Sequence, residues 1–159
     1  MPSDTAAALF TVVPANPAHL PLIVDSWLRS FRESHTARCL QHYPELQAYG
    51  RLLEPDRPHP SVYHVLQRAL ITNLLANCPV WVAAAGVGAE VDPDTVGGWV
   101  CSAGNTLHYV YVKHEYRRIG LARMLVAAAC PPGPVAYTHL TDAVQLKRLP
   151  KNWSYQRGK

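Results

Sequence analysis

Between Val112 and Leu121 the chain reads K-H-E-Y-R-R-I-G, so two arginines and a glycine, Arg117, Arg118 and Gly120, stand where an alternating run hands over to an apolar stripe at helical spacing. The first turn of a helix carries N–H groups without intrahelical partners, and the helix dipole adds partial positive charge there. A glycine at that turn lets an anion approach the backbone, and neighbouring arginines add charge, so these residue types suit a phosphate. The same residues read equally well as a solvated turn with a permissive glycine, and the junction alone leaves both readings open.

Other clusters carry less. His35, Cys39 and His42 in HTARCLQH could share one side of a helical turn as metal ligands, but no fourth ligand is placed, and three scattered polar residues is the better reading. No metal is expected. The glycines of Gly86-Val87-Gly88 follow a strand-like run but precede AEVDPD, so they belong to a hairpin and not to a dinucleotide loop. Cys39, Cys78, Cys101 and Cys130 are widely separated and form no CxxC pair, which points to reduced thiols in a cytoplasmic protein. A net charge of +4 favours an anionic partner. The locally basic tail after Asp142, with Lys147, Arg148, Lys151, Arg157, Lys159 and the aromatics Trp153 and Tyr155, raises a nucleic-acid face, weakly, since no nucleic-acid-binding motif accompanies it.

The elements that must position the junction are legible from periodicity. At 159 residues, 48% hydrophobic and 16% charged, the chain fits a single globular domain over 1–159. Its longest apolar run falls far short of the roughly 18 to 20 residues that span a bilayer, and the N-terminus lacks a basic leader region, so a soluble, unexported protein with no membrane partner is expected. ALFTVVPA reads as a first strand. Asn16 and Pro17 open a helix with Leu20, Ile23, Trp27 and Phe31 inward. Residues 33–59 are proline-punctuated and poorly periodic, an irregular insertion with at most short helical turns. From Ser61 a second helix places Val62, Val65, Leu66, Ala69, Leu70, Asn73 and Leu74 on one face. VWVAAAG and VGGWVCSAG form an antiparallel hairpin across the link EVDPDT. Thr106–Val112 is the strand before the junction, and a helix with Leu121, Met124, Leu125, Ala128 and Ala129 inward follows it. Pro131, Pro132, Gly133 and Pro134 stop that helix; VAYTH is a short strand, DAVQLKRL a short helix and NWSYQ a last strand. The order β-α-α-β-β-β-α-β-α-β implies an α/β (α+β) fold with a mixed, mostly antiparallel central sheet flanked by helices.

At the junction the sequence resembles the GNAT superfamily of acetyl-CoA-dependent N-acetyltransferases. The family fingerprint is Arg or Gln, two residues, Gly, one residue, then Gly or Ala, after a strand and opening a helix; Arg117, Arg118, Ile119, Gly120, Leu121 and Ala122 match it. The match is good over about 96–130 and weaker elsewhere. The resemblance implies that the coenzyme A pyrophosphate sits on the amides of Arg118 to Arg123, and that the pantetheine arm pairs like an added strand with Tyr109, Val110, Tyr111 and Val112. It implies acetyl transfer from acetyl-CoA to a primary amine, of a small molecule or a protein, by direct attack in a ternary complex.

Such transfer needs the amine deprotonated and the leaving thiolate protonated. Relatives usually project the base from this strand. Alternation puts Thr106, His108, Val110 and Val112 on one face and Leu107, Tyr109 and Tyr111 on the other, which makes His108 the leading base, with a packed, hydrogen-bonded histidine as the plain alternative. Glu115 is the second choice. The family's usual acid is missing: Asn152 and Trp153 take the place of a Gly-Phe pair, and Arg148 stands where a tyrosine is expected, leaving Tyr155, Tyr137 and Tyr109 as substitutes by type. Tyr43, Tyr49 and Tyr63 could line the acceptor pocket or merely anchor local packing. The chain stops soon after Trp153, so the acceptor side is either open or completed by a second subunit, making a homodimer possible. Two rivals stand beside the enzyme: a catalytically inactive acyl-CoA-binding protein of this fold and, less favoured, the nucleic-acid module.

Overall fold

The computed structural model describes residues 5–30, 53–54, 57–58, 60–139 and 149–156. Helix α1, Thr5–Leu9, runs straight into strand β1, Phe10–Pro14. ALFTVVPA is therefore not strand throughout. Alanines at positions 6 to 8 favour helix, and the β-branched residues begin only at Thr11.

Asn16 then caps a single 3-10 turn, Pro17–His19. Its side chain accepts the Ala18 N–H at 2.9 Å, and His19 Nδ1 accepts the Asn16 N–H at 3.1 Å. With Nδ1 accepting, Nε2 carries the proton and donates to the Pro93 carbonyl at 2.7 Å. Helix α2, residues 20–30, follows with Ile23 and Trp27 fully buried as expected, joined by Ser26 and Leu28, whereas Leu20 faces out.

Strands β2, Leu53–Glu54, and β3, Arg57–Pro58, pair antiparallel as a separate two-stranded sheet, so the insertion holds a small hairpin rather than only helical turns. The rest of 33–59, with His35, Cys39, His42, Tyr43 and Tyr49, lies outside the described residues, as do Phe31 and the side chain of Tyr63. Helix α3, Pro60–Asn77, turns a different face inward from the one its periodicity suggested. Val65 is 69% exposed, Gln67 and Ile71 are buried, and Leu74, Leu75 and Cys78 pack on the core. Two overlapping stripes run along this helix and share Leu74; the core takes the one that carries Ile71.

The main sheet adds β4, Val80–Ala85; β5, Asp92–Ala103; β6, Thr106–Val112; β7, Val135–Tyr137; and β8, Trp153–Tyr155. Its order is β1-β4-β5-β6-β7-β8, antiparallel from β1 to β6 and parallel across β6, β7 and β8. The architecture is a mixed α/β fold around an open six-stranded sheet. The link between β4 and β5 lies earlier than the expected EVDPDT, over residues 86–91, because β5 already begins at Asp92, after a 3-10 turn at Gly88–Glu90. Residues 142–148 of the expected helix DAVQLKRL lie outside the described part.

Each face of the sheet has its own core. On one, α2 and α3 bury Ile23, Trp27 and Ile71 against Val82, Trp99, Cys101 and Tyr109. Trp27 stacks on Tyr109 with centroids 5.1 Å apart, and Trp99 Nε1 donates to Ser26 Oγ at 2.8 Å, so the one polar atom of that large ring is satisfied. On the other face α1 and helix α4, Leu121–Ala129, cover Phe10, Ala83, Val100 and Leu107 through Leu121 and Leu125; Ala128, expected inward, is exposed.

Two glycines set how closely α4 and β6 approach β5. A Cβ on Gly97 would lie 2.5 Å from the Phe10 ring, and one on Gly98 would lie 2.5 Å from the Tyr111 carbonyl oxygen and 3.2 Å from Leu125. The Gly98 clash is with main chain, which cannot rotate away. Gly98→Ala is therefore expected to cost about 1–3 kcal/mol, the range for overpacking a filled core. A denaturant midpoint equal to that of the parent would show that β5 and β6 can separate without loss.

Candidate functional site

The site is built from main chain before side chain. The Lys113 N–H donates to the Gly97 carbonyl at 2.9 Å, which makes Gly97 and Lys113 a hydrogen-bonded pair of the β5–β6 ladder. Antiparallel alternation then gives Trp99–Tyr111 and Cys101–Tyr109 the same character, and leaves Val100–Val110 and Gly98–Val112 as the intervening pairs. The N–H and C=O groups of Val110 and Val112 consequently point away from β5, towards β7. But β7 accompanies β6 only along Thr106 and Leu107, with the Ala136 N–H on the Asn105 carbonyl at 2.9 Å and the Thr138 N–H on the Leu107 carbonyl at 3.1 Å. Past that point no described strand pairs with β6 on this side. The Val112 carbonyl accepts Arg117 Nε at 3.2 Å.

The open stretch leads directly to the junction. A 3-10 turn, His114–Tyr116, is followed by two left-handed residues, Arg118 at φ 69° and Gly120 at φ 92°, the latter being the N-cap of α4. No side chain caps that first turn, so the amides of Leu121, Ala122 and Arg123 have no capping oxygen. A left-handed conformation at a residue with a Cβ costs roughly 1–2 kcal/mol, and such strain tends to gather at functional turns. Arg117, Arg118, Ala122 and Arg123 are exposed. Ile119 is half-buried and accepts the Ala6 N–H at 3.3 Å, and the Leu121 side chain is in the core, so the turn is anchored below and open above.

His108 occupies a β-bulge. The ladder steps from Cys101–Tyr109 to Ser102–Leu107, so two residues of β6 face one of β5 and His108 is the extra one. The bulge corrects the alternation read from the sequence. Leu107 joins Val110 and Val112 on the α4 face, while Tyr109 and Tyr111 lie on the α2 face. The His108 ring is buried, with Nδ1 at 3.1 Å from Thr138 Oγ1, which in turn is 3.0 Å from His139 Nδ1. The His139 ring lies edge-on to Trp27 and Tyr109. Burial lowers the pKa of His108. It brings His139 down to about 3, helped by the neighbouring His108 charge and opposed by the His108 backbone carbonyl. Both rings are neutral at physiological pH.

Thr138 and His139 escaped the sequence reading. Thr138 and His139 directly follow a strand of three residues behind a proline-rich stop, and only the parallel pairing of β7 with β6 brings Thr138 to His108, 30 positions earlier in the chain. The other proposed groups lie apart. Glu115 is exposed in the 3-10 turn beyond Val112, and Val112 itself already lies about 13 Å along the strand from His108 at about 3.3 Å per residue. Tyr155 is on β8, in register with Tyr137 and Leu107, its ring 5.6 Å from that of Tyr137, so β7 separates it from β6. Trp153 packs into the α4-side core. Arg148 lies outside the described residues.

Among the described residues no group of three or more His, Cys, Asp or Glu is arranged to hold a metal, and no helix is long and apolar enough to cross a membrane. Cys78, Cys101 and Cys130 are free thiols. Burial, followed by the nearby Cys78, pushes Cys101 up to about 12, so it is no nucleophile.

A comparison with family models finds no match, and neither does one with curated proteins. Among solved structures, the apo-form of YjaB from Escherichia coli, determined in solution, is similar at a TM-score of 0.45 and 19% identity over 76% of this chain. The alignment spans 63% of that protein, less than two thirds of its length.

Proposed function

We propose that the protein binds acetyl-CoA and transfers its acetyl group to a primary amine. One observation carries the reading: a stretch of β6 whose Val110 and Val112 main-chain groups have no strand partner among the described residues runs into a helix N-terminus that no described side chain caps, set by two left-handed residues. Together these suit a ligand with an extended amide-bearing arm and a diphosphate, the arm pairing as an added strand and the diphosphate taking the α4 amides. Coenzyme A has that form.

In the proposed reaction the amine nitrogen bonds to the thioester carbonyl carbon, the carbon–sulfur bond breaks, and the products are an N-acetyl amine and the free thiol. The amine gives up a proton to His108 Nε2, the ring nitrogen that Thr138 does not engage. The thiolate takes a proton from solvent or from a tyrosine.

The position of Tyr155, one strand beyond β7, favours a second reading, in which an acyl-CoA is bound but not turned over. Titration calorimetry with acetyl-CoA, followed by amine-dependent thiol release across a panel of small amines and lysine peptides, separates the two. Saturable binding with turnover of an amine is the expected result. Binding without turnover across the panel would favour the second reading, and no binding of acetyl-CoA would sink both.

A further inference from the structure

The turn before α4 is gripped by the beginning of the chain. The Ala6 N–H, a first-turn donor of α1 that no intrahelical carbonyl reaches, donates to the Ile119 carbonyl at 3.3 Å. Farther along, the Phe10 ring stands edge-on to Tyr116 with centroids 5.0 Å apart, in space that the missing Cβ of Gly97 leaves open. Ala6 is 3% exposed and belongs to the same core as Leu121 and Leu125. In a trans peptide the C=O and N–H point in opposite directions, so an Ile119 carbonyl drawn down to α1 turns the Gly120 N–H up, to the open side of the turn. Among the described residues nothing accepts that N–H. Gly120 is left-handed at φ 92° and Leu121 begins a right-handed helix, a change of hand that gathers the N–H groups of Gly120, Leu121 and Ala122 into an anion-binding concavity. The Ile119–Gly120 peptide is also free to turn over, because its rotation is taken up by φ of a glycine, which adopts either sign at little cost. The Gly120 carbonyl is not free in this way, since it accepts the Met124 N–H at 3.0 Å as the first rung of α4.

We propose that Ala6 is a positioning residue for the cofactor diphosphate: its main-chain N–H holds the Ile119–Gly120 peptide in the orientation that aims the Gly120 N–H at the ligand. The ligand half of this inference rests on the acetyl-CoA reading, while the orientation of the peptide rests on the geometry alone. Without the Ala6 bond the peptide turns over in part of the molecules, and a carbonyl oxygen then faces the diphosphate where a donor stood. An anion binds only the orientation that presents the donor, so the fraction lost to the other orientation appears directly as lost affinity.

The bond can be removed without touching a side chain. A synthetic peptide of residues 1–38, ligated at the native Cys39 to recombinant 39–159 and refolded, allows the amide between Thr5 and Ala6 to be replaced by an ester, which takes away the N–H and keeps the methyl. Ala6→Gly is the complement, since it keeps the N–H and loses the methyl. With no ligand present, the sequential NOEs between Ile119 and Gly120 should change in the ester protein as the peptide turns over. Titration calorimetry should find acetyl-CoA bound about three- to tenfold more weakly than by the parent assembled in the same way, the shift set by one hydrogen bond of ordinary net strength. Ala6→Gly should bind like the parent although it melts at a lower temperature. Parent-like NOEs or parent-like affinity in the ester protein would overturn the proposal, and an equal loss of affinity in both variants would make Ala6 a packing residue only. If the parent binds no acetyl-CoA, the functional reading falls, and the NOEs still decide whether Ala6 sets the peptide.

Discussion

Replacing Gly120 with glutamate is expected to remove acetyl-CoA binding while leaving the fold intact. The new carboxylate would stand at the N-cap of α4, where the proposed diphosphate meets the amides of Leu121 to Arg123. Two like charges about 4 Å apart repel by roughly 4 kcal/mol at an effective dielectric constant of 20, which corresponds to a loss of at least about 100-fold in affinity. Gly120 sits at φ 92°, so any side chain brings backbone strain as well as charge. Gly120→Asn separates the two, because asparagine tolerates the left-handed region and is uncharged. Calorimetry should find binding lost in the glutamate variant and largely kept in the asparagine variant, with similar circular dichroism for both. Undiminished affinity in Gly120→Glu would show that no phosphate lies at this turn.

His108→Ala should lower turnover by about 10² to 10⁴, the usual worth of general base assistance, with acetyl-CoA affinity nearly unchanged because the proposed cofactor contacts are main-chain groups. Burial lowers the pKa of His108 from its ordinary 6.5, so the neutral, proton-accepting form persists below that value. The rate should therefore fall on the acid side only below about pH 6.5, as the ring charges, and this limb should vanish in the alanine variant. A drop of less than about threefold with the acid limb retained would make His108 a packing residue and pass the proton to solvent or Glu115.

The sequence supports the junction and the sheet to different depths. The handover from Val112 to Leu121 was legible because both periodicities and the glycine lie within one short window, and β4, β5 and β6 follow from local apolar runs and turns. The bulge was not. It changes the face of Leu107 through the register of β6 against β5, a long-range property that no local pattern encodes. The same holds for Thr138 and His139, which reach His108 only through parallel pairing. Helix α3 failed for another reason: two apolar stripes competed, and packing chose between them.

The register around the bulge has a consequence for how such a chain tolerates insertion and deletion. Losing one residue from a regular strand throws everything beyond it onto the wrong face. In β6, Leu107 already faces α4 and Tyr109 already faces α2, so a chain without His108 would alternate without interruption, with Ser102–Leu107 and Cys101–Tyr109 as consecutive pairs. The sheet needs every neighbour of this histidine and has no place in its ladder for the histidine itself. His108 is an addition to the strand, and the pairing of β5 with β6 would run without interruption in its absence.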